Sequence, residues 1–326
     1  MKLGIFTPVF GQLSTPEMLA KVRALGKIEA VELGTGGWPG SAHLSLDCLL
    51  NDQQKARDYA SAIADAGLFI SALSCHGNPL HPRKATASAD DVLFRKTVRL
   101  AELLDVPVVV TFSGCPGDSD LATHPNWVTT AWPPECLEVL DWQWECRAIP
   151  YWRDAAHFAS DHGVKVALEA HPGFMVYNVE TALRLRQAAG PNLGVNFDPS
   201  HLFWQGVDPA VAIRALGPAI FHVHAKDVAL DPSNVAVNGV IDAKSYHLMA
   251  ERSWIFRSVG WGHDELTWKR LASALRAVGY DYVISIEHED AMASVDEGIA
   301  SAVDLLSRVI LKEPPVTPWW TEKGQA

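Results

Sequence analysis

Several features that define other protein classes are missing from this sequence of 326 residues. The five cysteines are an odd number without a CxxC pair, which argues against a disulfide framework and excludes a zinc ribbon. No apolar run reaches the roughly 18 to 20 residues that cross a bilayer, and the N-terminal segment lacks the hydrophobic stretch of a signal peptide. We therefore expect a cytoplasmic protein with reduced thiols and no membrane partner.

Positive charge is also scarce. The chain has 27 Lys and Arg residues against 38 Asp and Glu residues, which gives a net charge of −11. A nucleic acid would be repelled by this excess, because binding to phosphates depends on cationic side chains that displace counterions. Nucleic acid is therefore excluded as a general ligand. The hydrophobic fraction of 48% is instead typical of a globular protein with a large core.

Short apolar runs alternate with longer amphipathic stretches along the whole chain. The runs predict eight strands, at residues 3–7, 30–33, 68–73, 107–112, 164–169, 193–197, 219–224 and 282–287. Between them, segments such as 53–67, 90–104 and 267–279 have helical spacing, and Gly67 and Gly279 stand where helices commonly end. Eight βα units in succession predict a (β/α)8 TIM barrel; a doubly wound sheet fits the same alternation and stays open.

Two connections are longer than a bare barrel needs. A βαβ unit takes roughly 30 residues, but the ends of strands four and five are 57 residues apart and those of strands seven and eight are 63 apart. The surplus residues, about 113–149 and 228–263, follow carboxyl ends of strands, where barrel enzymes build their active sites. We expect a single domain over 1–326 with two inserts on the catalytic face and a proline-broken tail at 312–326.

Polar side chains stand at the carboxyl ends of four consecutive predicted strands. Glu169, Asp198, His224 and Glu287 each end or follow an apolar run, so a barrel would bring them to one place. Three carboxylates that close would repel one another unless a cation compensates them. The pattern predicts a divalent metal site. Oxygen ligands with one imidazole favour Mn²⁺ first, then Mg²⁺, with Co²⁺ and Zn²⁺ as alternatives.

Neighbouring residues leave two assignments open. His222 precedes His224 by two residues and would face the same side of the strand, so either ring can be the ligand. The simpler explanation of His222 is a core histidine bonded to a backbone carbonyl. Lys226 and Asp227, which follow His224, are likewise candidates for the site; the simpler explanation is that they pair with each other on the surface.

The segments LEAHP, NFDPSH, HVHAKD and ISIEHED, with SCHGNPLHP earlier in the chain, resemble the xylose isomerase-like barrel superfamily. The resemblance is to its sugar phosphate isomerase/epimerase group, which includes ketose 3-epimerases, inosose dehydratase and isomerase, and catalytic subunits of C-glycoside deglycosidases. It spans nearly the whole chain and implies the same four metal ligands. It further implies that His201 and Arg257 contact substrate hydroxyls and that His76 lines the pocket. We find no cluster of Lys or Arg that would bind a sugar's phosphate.

A sugar bound to such a metal through two adjacent oxygens would react by proton transfer. The cation would stabilise an enediolate while Glu169 and Glu287, on opposite faces, remove and return a proton. This predicts an isomerase or epimerase of a sugar or keto-sugar. The alternative is a lyase or dehydratase that cleaves keto-sugars or 3-keto-glycosides, with His171 as a base. The resemblance implies a small partner subunit for that case; a homo-oligomer, and a non-catalytic sugar-binding protein, also stay open.

Tryptophan is abundant, with 12 residues against 6 tyrosines. Seven of the tryptophans lie in or next to the two inserts. Among them, we expect Trp127 and Trp261 to contact the sugar or glycoside. The alternative for each ring is burial against another ring or in an oligomer interface.

Overall fold

Eight parallel strands close into a barrel in the computed structural model, which describes residues 1–318 and 320. Neighbours follow the order β1, β10, β7, β6, β5, β4, β3, β2 and back to β1, and β8 and β9 form a separate antiparallel pair. The strands are β1 (Lys2–Phe6), β2 (Ala30–Gly34), β3 (Phe69–Ser74), β4 (Val108–Phe112), β5 (Lys165–Glu169), β6 (Leu193–Phe197), β7 (Ile220–Ala225), β8 (Asp227–Leu230), β9 (Trp254–Arg257) and β10 (Val283–Ile286). The predicted barrel is confirmed, each predicted strand boundary lies within one residue, and the doubly wound alternative is wrong.

Helices follow the barrel strands and cover them. They are α1 (Thr15–Ala24), α2 (Leu46–Asn51), α3 (Gln53–Asp65), α4 (Lys84–Leu103), α5 (Glu135–Trp142), α6 (Ile149–Asp161), α7 (Val179–Ala189), α8 (Pro199–Phe203), α9 (Pro209–Leu216), α10 (Pro232–Asn238), α11 (Glu265–Ala277) and α12 (Val295–Val309). Short 3-10 turns cover Thr7–Phe10, Gly217–Ala219 and Met249–Glu251, and one π-helical turn covers Gln143–Ala148. Gly67 and Gly279 follow α3 and α11 with φ of 73° and 83°, a left-handed conformation that favours glycine after a helix.

The two layers of the barrel differ in polarity. Between strands and helices, the core is apolar, with side chains such as Leu3, Val31 and Leu168 almost fully buried. Inside the barrel, polar side chains are buried instead: Glu32, Ser71, Ser74, Asn196, His222, His224 and Ser285 all have zero exposure. Buried polar groups persist only when they are hydrogen-bonded or bind a ligand, so the interior marks the functional region.

Both predicted inserts contain regular structure. The first, about 113–149, carries α5 and the π-helical turn before α6 begins. The second, about 228–263, is mainly the antiparallel β8–β9 pair with α10 between its strands. Its Trp254 stacks on Trp204, with ring centroids 4.8 Å apart, so the insert has an aromatic core of its own. The single-domain assignment stays a prediction.

The tail is exposed where it is described, over residues 312–318. The rest of the predicted tail, apart from residue 320, lies outside the described residues. Within residues 1–318 and 320, every helix is too short or too polar to span a bilayer.

Candidate metal centre

The four predicted ligand residues meet at the carboxyl end of the barrel. Glu169 ends β5, Asp198 follows β6, His224 lies in β7 and Glu287 follows β10. One ligand atom from each lies within 4.8 Å of those from the other three. These strands are neighbours in the barrel, which is why residues far apart in the chain converge.

The facing atoms are close, and those of His224, Asp198 and Glu287 lack a hydrogen bond. Nδ1 of His224 lies 2.9 Å from Oε2 of Glu287 and 3.2 Å from Oε2 of Glu169. Among the described residues, Nδ1 of His224, Oδ2 of Asp198 and Oε2 of Glu287 are buried without a hydrogen-bond partner of acceptable geometry. Unpartnered buried polar atoms are costly, and a shared cation would satisfy all three at once. The donor set therefore fits a divalent metal ion.

The electrostatics of this group favour ionised carboxylates. Burial would raise the pKa of Glu169, but the facing rings of His201 and His224 hold it well below its usual range. Burial would likewise raise the pKa of Asp198, yet Lys226 and His201 lower it. For His224, burial lowers the pKa, but the charges of Glu32 and Glu287 outweigh this and raise it well above the usual value. In the absence of a metal, the protonated His224 and the Lys226 ammonium thus offset the negative charge of the carboxylates.

Lys226, a candidate from the sequence, is a member of this centre. Its side chain is 3% exposed, and Nζ lies 3.1 Å from Oδ2 of Asp198, 3.0 Å from Glu287 and 3.2 Å from Glu289. Asp227 turns the other way and accepts backbone N–H groups of the second insert at Gly260 and Gly262. The suggested Lys226–Asp227 pair is therefore wrong, because successive side chains on this segment point to opposite sides.

Glu32 of β2 was not considered as a site residue. Both of its carboxylate oxygens face Nε2 of His224, at 2.9 and 3.0 Å, and hydroxyls of Ser74 and Ser285 donate to them at 2.5 and 2.7 Å. Burial would raise its pKa, but the charges of His224 and His222 and the hydrogen bonds lower it to about 2. The available signal was a lone glutamate inside the apolar run AVELG.

His222 lies beneath the ligand group. Its Nδ1 is 3.1 Å from Oδ1 of Asn196, and its Nε2 is 3.3 Å from Oγ of Ser71. Burial lowers its pKa to about 4, so the ring is neutral at pH 7. Of the two histidines left open by the sequence, His224 faces the three carboxylates. His222 is a core histidine, bonded to side chains rather than to the expected backbone carbonyl.

A cavity of about 260 Å³ opens above the ligand residues. Its polar lining includes the predicted pocket residue His76, as well as His171 and Lys226, and its apolar lining comes mainly from Phe6, Pro8, Val9, Trp38, Pro39 and Phe112. His201 is buried behind it, with Nε2 at 3.2 Å from Oδ2 of Asp198 and 3.3 Å from Oε1 of Glu169. Trp38 also lines the cavity, although it follows β2 and lies outside both inserts.

His171 lines the cavity as a neutral ring. Its Nδ1 lies 2.6 Å from the carbonyl oxygen of Pro172, and its ring centroid is 4.0 Å from that of His201. Burial, followed by the positive charge of His201, lowers its pKa to about 3. A ring of such low basicity is a weak proton acceptor, and its proposed role as a base stays a prediction.

Like His201, three other residues predicted to contact substrate lie outside the lining of this cavity. Arg257 pairs with Asp290, with Nε at 3.1 Å from Oδ2. Trp127 packs edge-on against Tyr177, with centroids 5.4 Å apart. Trp261 is 59% exposed and is bonded by its Nε1 to Ser301. The inserts fold back onto the barrel's own side chains, which explains these positions, and contact with substrate stays a prediction for each residue.

A second, more apolar cavity of about 430 Å³ adjoins the first. It shares His171 and Glu289 with the metal-side cavity. Its remaining lining comes from the second insert and from the segment after β10: Tyr246, Met249, Ile255, Phe256, Ala291 and Met292. Together the two cavities form a cleft with a charged end and an apolar end.

Comparison with known proteins agrees with this architecture. The chain is 41% identical over 313 residues to the uncharacterized protein YfiH of Bacillus subtilis, covering 95% of this chain and 99% of that protein. Among solved structures, the IOLI protein with a bound zinc atom superposes with a TM-score of 0.64 at 18% identity, covering 95% of this chain and 99% of that one. A D-tagatose 3-epimerase-like protein superposes with a TM-score of 0.62 at 21% identity, covering 95% and 98%.

The two structural likenesses establish a shared fold. The family described as xylose isomerase-like TIM barrel matches residues 19–308, which is most of the chain. This match and the closed eight-stranded barrel agree, and the chain belongs to the xylose isomerase-like TIM barrel family.

Proposed function

We propose that the protein is a divalent-metal-dependent isomerase or epimerase of a sugar or keto-sugar. The observation that carries this proposal is the convergence of Glu169, Asp198, His224 and Glu287, of which the last three each present a buried atom without a hydrogen-bond partner of acceptable geometry. Mn²⁺ is our first choice of metal because the ligands are mostly carboxylates. The zinc in the IOLI structure supports Zn²⁺ as the principal alternative.

The residues divide the chemistry between binding and proton transfer. A divalent ion in this site would polarise the substrate carbonyl and stabilise negative charge on its oxygen. Glu169 and Glu287 line the same cavity, so one can take the proton from the carbon beside the carbonyl and the other can return it. Return to the opposite face of that carbon gives epimerisation, and return to the neighbouring carbon gives isomerisation. His76 and His201 hold Glu169 in place from two sides.

An uncharged sugar fits this cavity better than a phosphate or a carboxylate. Lys226 is the one lysine or arginine among the residues that line it. Its ammonium group already lies within 3.2 Å of oxygens of Asp198, Glu287 and Glu289. Three carboxylate ligands already offset the charge of the proposed metal, so an anionic substrate would need an unused cationic side chain, and the described lining supplies none.

Metal analysis and isotope exchange test the proposal. We expect purified protein to hold a divalent metal that is lost in Asp198→Asn. In D₂O, we expect one C–H position of a keto-sugar to exchange with solvent, and Glu169→Gln and Glu287→Gln to abolish the exchange with the metal still present in part. Wild-type protein that binds no divalent metal, or that exchanges no proton in any keto-sugar, would exclude the mechanism.

The apolar cavity favours a second candidate, a metal-dependent lyase on keto-sugars or 3-keto-glycosides. A free monosaccharide is covered with hydroxyl groups and would leave the Met249, Phe256 and Met292 surfaces unoccupied. The apolar leaving group of a glycoside would cover them. An aryl 3-keto-glycoside separates the two reactions, since a lyase releases the phenol whereas an epimerase only exchanges deuterium.

Assembly and location follow as further proposals. A homo-oligomer or a small partner subunit can be tested by light scattering of the purified protein and by co-purification from its source. We propose a cytoplasmic location.

A further inference from the structure

We propose that Glu32 is a positioning residue: it holds the proton of His224 on Nε2 and thereby presents Nδ1 to the metal. The inference rests on the metal site of the proposed function. It goes beyond that site because Glu32 is on the opposite side of the imidazole from the ligand carboxylates and does not face the cavity.

First, the two ring nitrogens of His224 face different carboxylates. Nδ1 of His224 faces Glu169 and Glu287, at 3.2 and 2.9 Å. Nε2 faces both oxygens of Glu32, at 2.9 and 3.0 Å. A neutral imidazole has one N–H and one lone pair, so Nδ1 can ligate a metal only when the proton is on Nε2. The geometry gives that proton one acceptor, the Glu32 carboxylate.

The second step is that Glu32 acts as an acceptor. Ser74 donates its hydroxyl to Oε1 at 2.5 Å, and Ser285 donates to Oε2 at 2.7 Å. Each oxygen thus receives one hydroxyl and shares the imidazole N–H. A carboxylate fixed by hydroxyls from two different strands, β3 and β10, cannot rotate away, and it selects the tautomer of the ring that faces it.

The third step excludes a competing explanation. Atoms of Glu32, His222 and His224 also lie within 4.8 Å of one another and could be taken for a second metal site. Every donor and acceptor there is already occupied: Glu32 by the two serines and His224, and His222 by Asn196 and Ser71. In the upper group, Oδ2 of Asp198, Nδ1 of His224 and Oε2 of Glu287 have no hydrogen-bond partner of acceptable geometry. The two groups therefore differ in kind, and one ion per chain is expected.

Titration of the metal-free protein with Mn²⁺ alone tests this role. Glu32→Gln keeps the shape but brings an NH₂ group that can donate to Nε2, which moves the ring proton to Nδ1 and blocks ligation. We expect wild type to bind one Mn²⁺ and Glu32→Gln to bind it roughly 10 to 100-fold more weakly. Ser71→Ala is the matched control, because Ser71 is equally buried inside the barrel but contacts His222 instead of a ligand. Its Mn²⁺ affinity should change less than twofold.

The outcomes separate the two hypotheses. No Mn²⁺ bound to wild type overturns the proposed function, and this inference with it. One Mn²⁺ bound with equal affinity by wild type and Glu32→Gln overturns this inference alone. Two Mn²⁺ bound by wild type and one by Glu32→Gln makes Glu32 a ligand, which also overturns it. If Glu32→Gln does not fold, ¹⁵N NMR of histidine-labelled wild type with Zn²⁺ decides: a protonated Nε2 on His224 supports the role, and a protonated Nδ1 overturns it.

Discussion

The two halves of the barrel rim differ in chemistry. Strands β5, β6, β7 and β10 carry the charged half, where Glu169, Asp198, His224 and Glu287 converge. Strands β1 to β4 and their following loops carry the ring half, with Phe6, Trp38 and Phe112 along the cavity. The ring centroid of Phe112 lies 5.5 Å from that of Trp38 and 4.4 Å from that of Phe174, which follows β5, so these three rings form a connected wall.

This division matches what a sugar requires from a site. One edge of a sugar carries hydroxyl and carbonyl oxygens that a metal can bind, whereas the ring face carries C–H groups that pack on aromatic rings. Rings packed on a bound sugar would also exclude water, which strengthens the electrostatic interactions of the charged half. We therefore expect changes in the charged half to remove metal and chemistry together, and changes in the ring half to weaken substrate binding alone.

The largest effect is expected from Asp198→Asn, which breaks the charged half. Loss of one anionic ligand should remove the metal and lower kcat/KM for proton exchange on the order of 10³-fold. Elemental analysis and deuterium incorporation measure the two effects. Asp290→Asn is the matched control, because Asp290 is a buried carboxylate near the rim that binds Arg257 and Ser258 rather than the ligand group. Full metal occupancy in Asp198→Asn would contradict the comparison.

Metal addition should produce the next largest effect, on the stability of the fold. An ion that binds the folded chain alone at 100 times its Kd raises the free energy of unfolding by about 2.7 kcal/mol. Chemical denaturation of the metal-free protein with and without Mn²⁺ measures this increase. Asp198→Asn should lose the increase and Phe112→Ala should keep it. An equal response in both variants would show that the two halves are not separate.

Phe112→Ala tests the ring half. Removal of this side chain takes one face from the cavity and a stacking partner from Phe174. We expect KM to rise about tenfold, equivalent to about 1.4 kcal/mol, with metal content unchanged. Steady-state kinetics with elemental analysis of the same samples measures both. Lower metal content in Phe112→Ala would mean that the wall supports the ligands, and the division would need revision.

The sequence predicted the barrel and the convergence of four polar side chains at its strand ends, because both follow from the local pattern of each strand. A strand that ends in a single carboxylate after an apolar run, as at Glu169 and Glu287, can be recognised from a segment of a few residues. The contacts of Glu32 with His224 are not, because the two residues are 192 positions apart and meet across the barrel. The sequence left Lys226 open between the site and a surface pair, because only the closed barrel shows which side it faces.

The tryptophans show a different limit of the sequence. It gives their number near the inserts but not the direction in which each side chain points. Trp144 and Trp152 belong to the group counted at the inserts, and their exposures of 2% and 0% in the core agree with the alternative of burial. Nε1 of Trp152 donates to the carbonyl of Ser113 at 2.9 Å, which satisfies its only polar group. The π-helical turn that leads into α6 directs these rings inward, and the sequence pattern gave no sign of it.

The smallest effect is expected from Trp261→Ala, compared with Trp38→Ala. Both rings are exposed, at 59% and 65%, but Trp38 lines the metal-side cavity whereas Trp261 packs over Arg257 and bonds to Ser301. KM should therefore change less than about twofold for Trp261→Ala, within the range of an ordinary surface substitution. For Trp38→Ala it should rise several-fold, to roughly the same extent as for other cavity-lining rings. Equal increases in KM for the two variants would mean that the second insert closes over bound substrate, and the ring half would then include it.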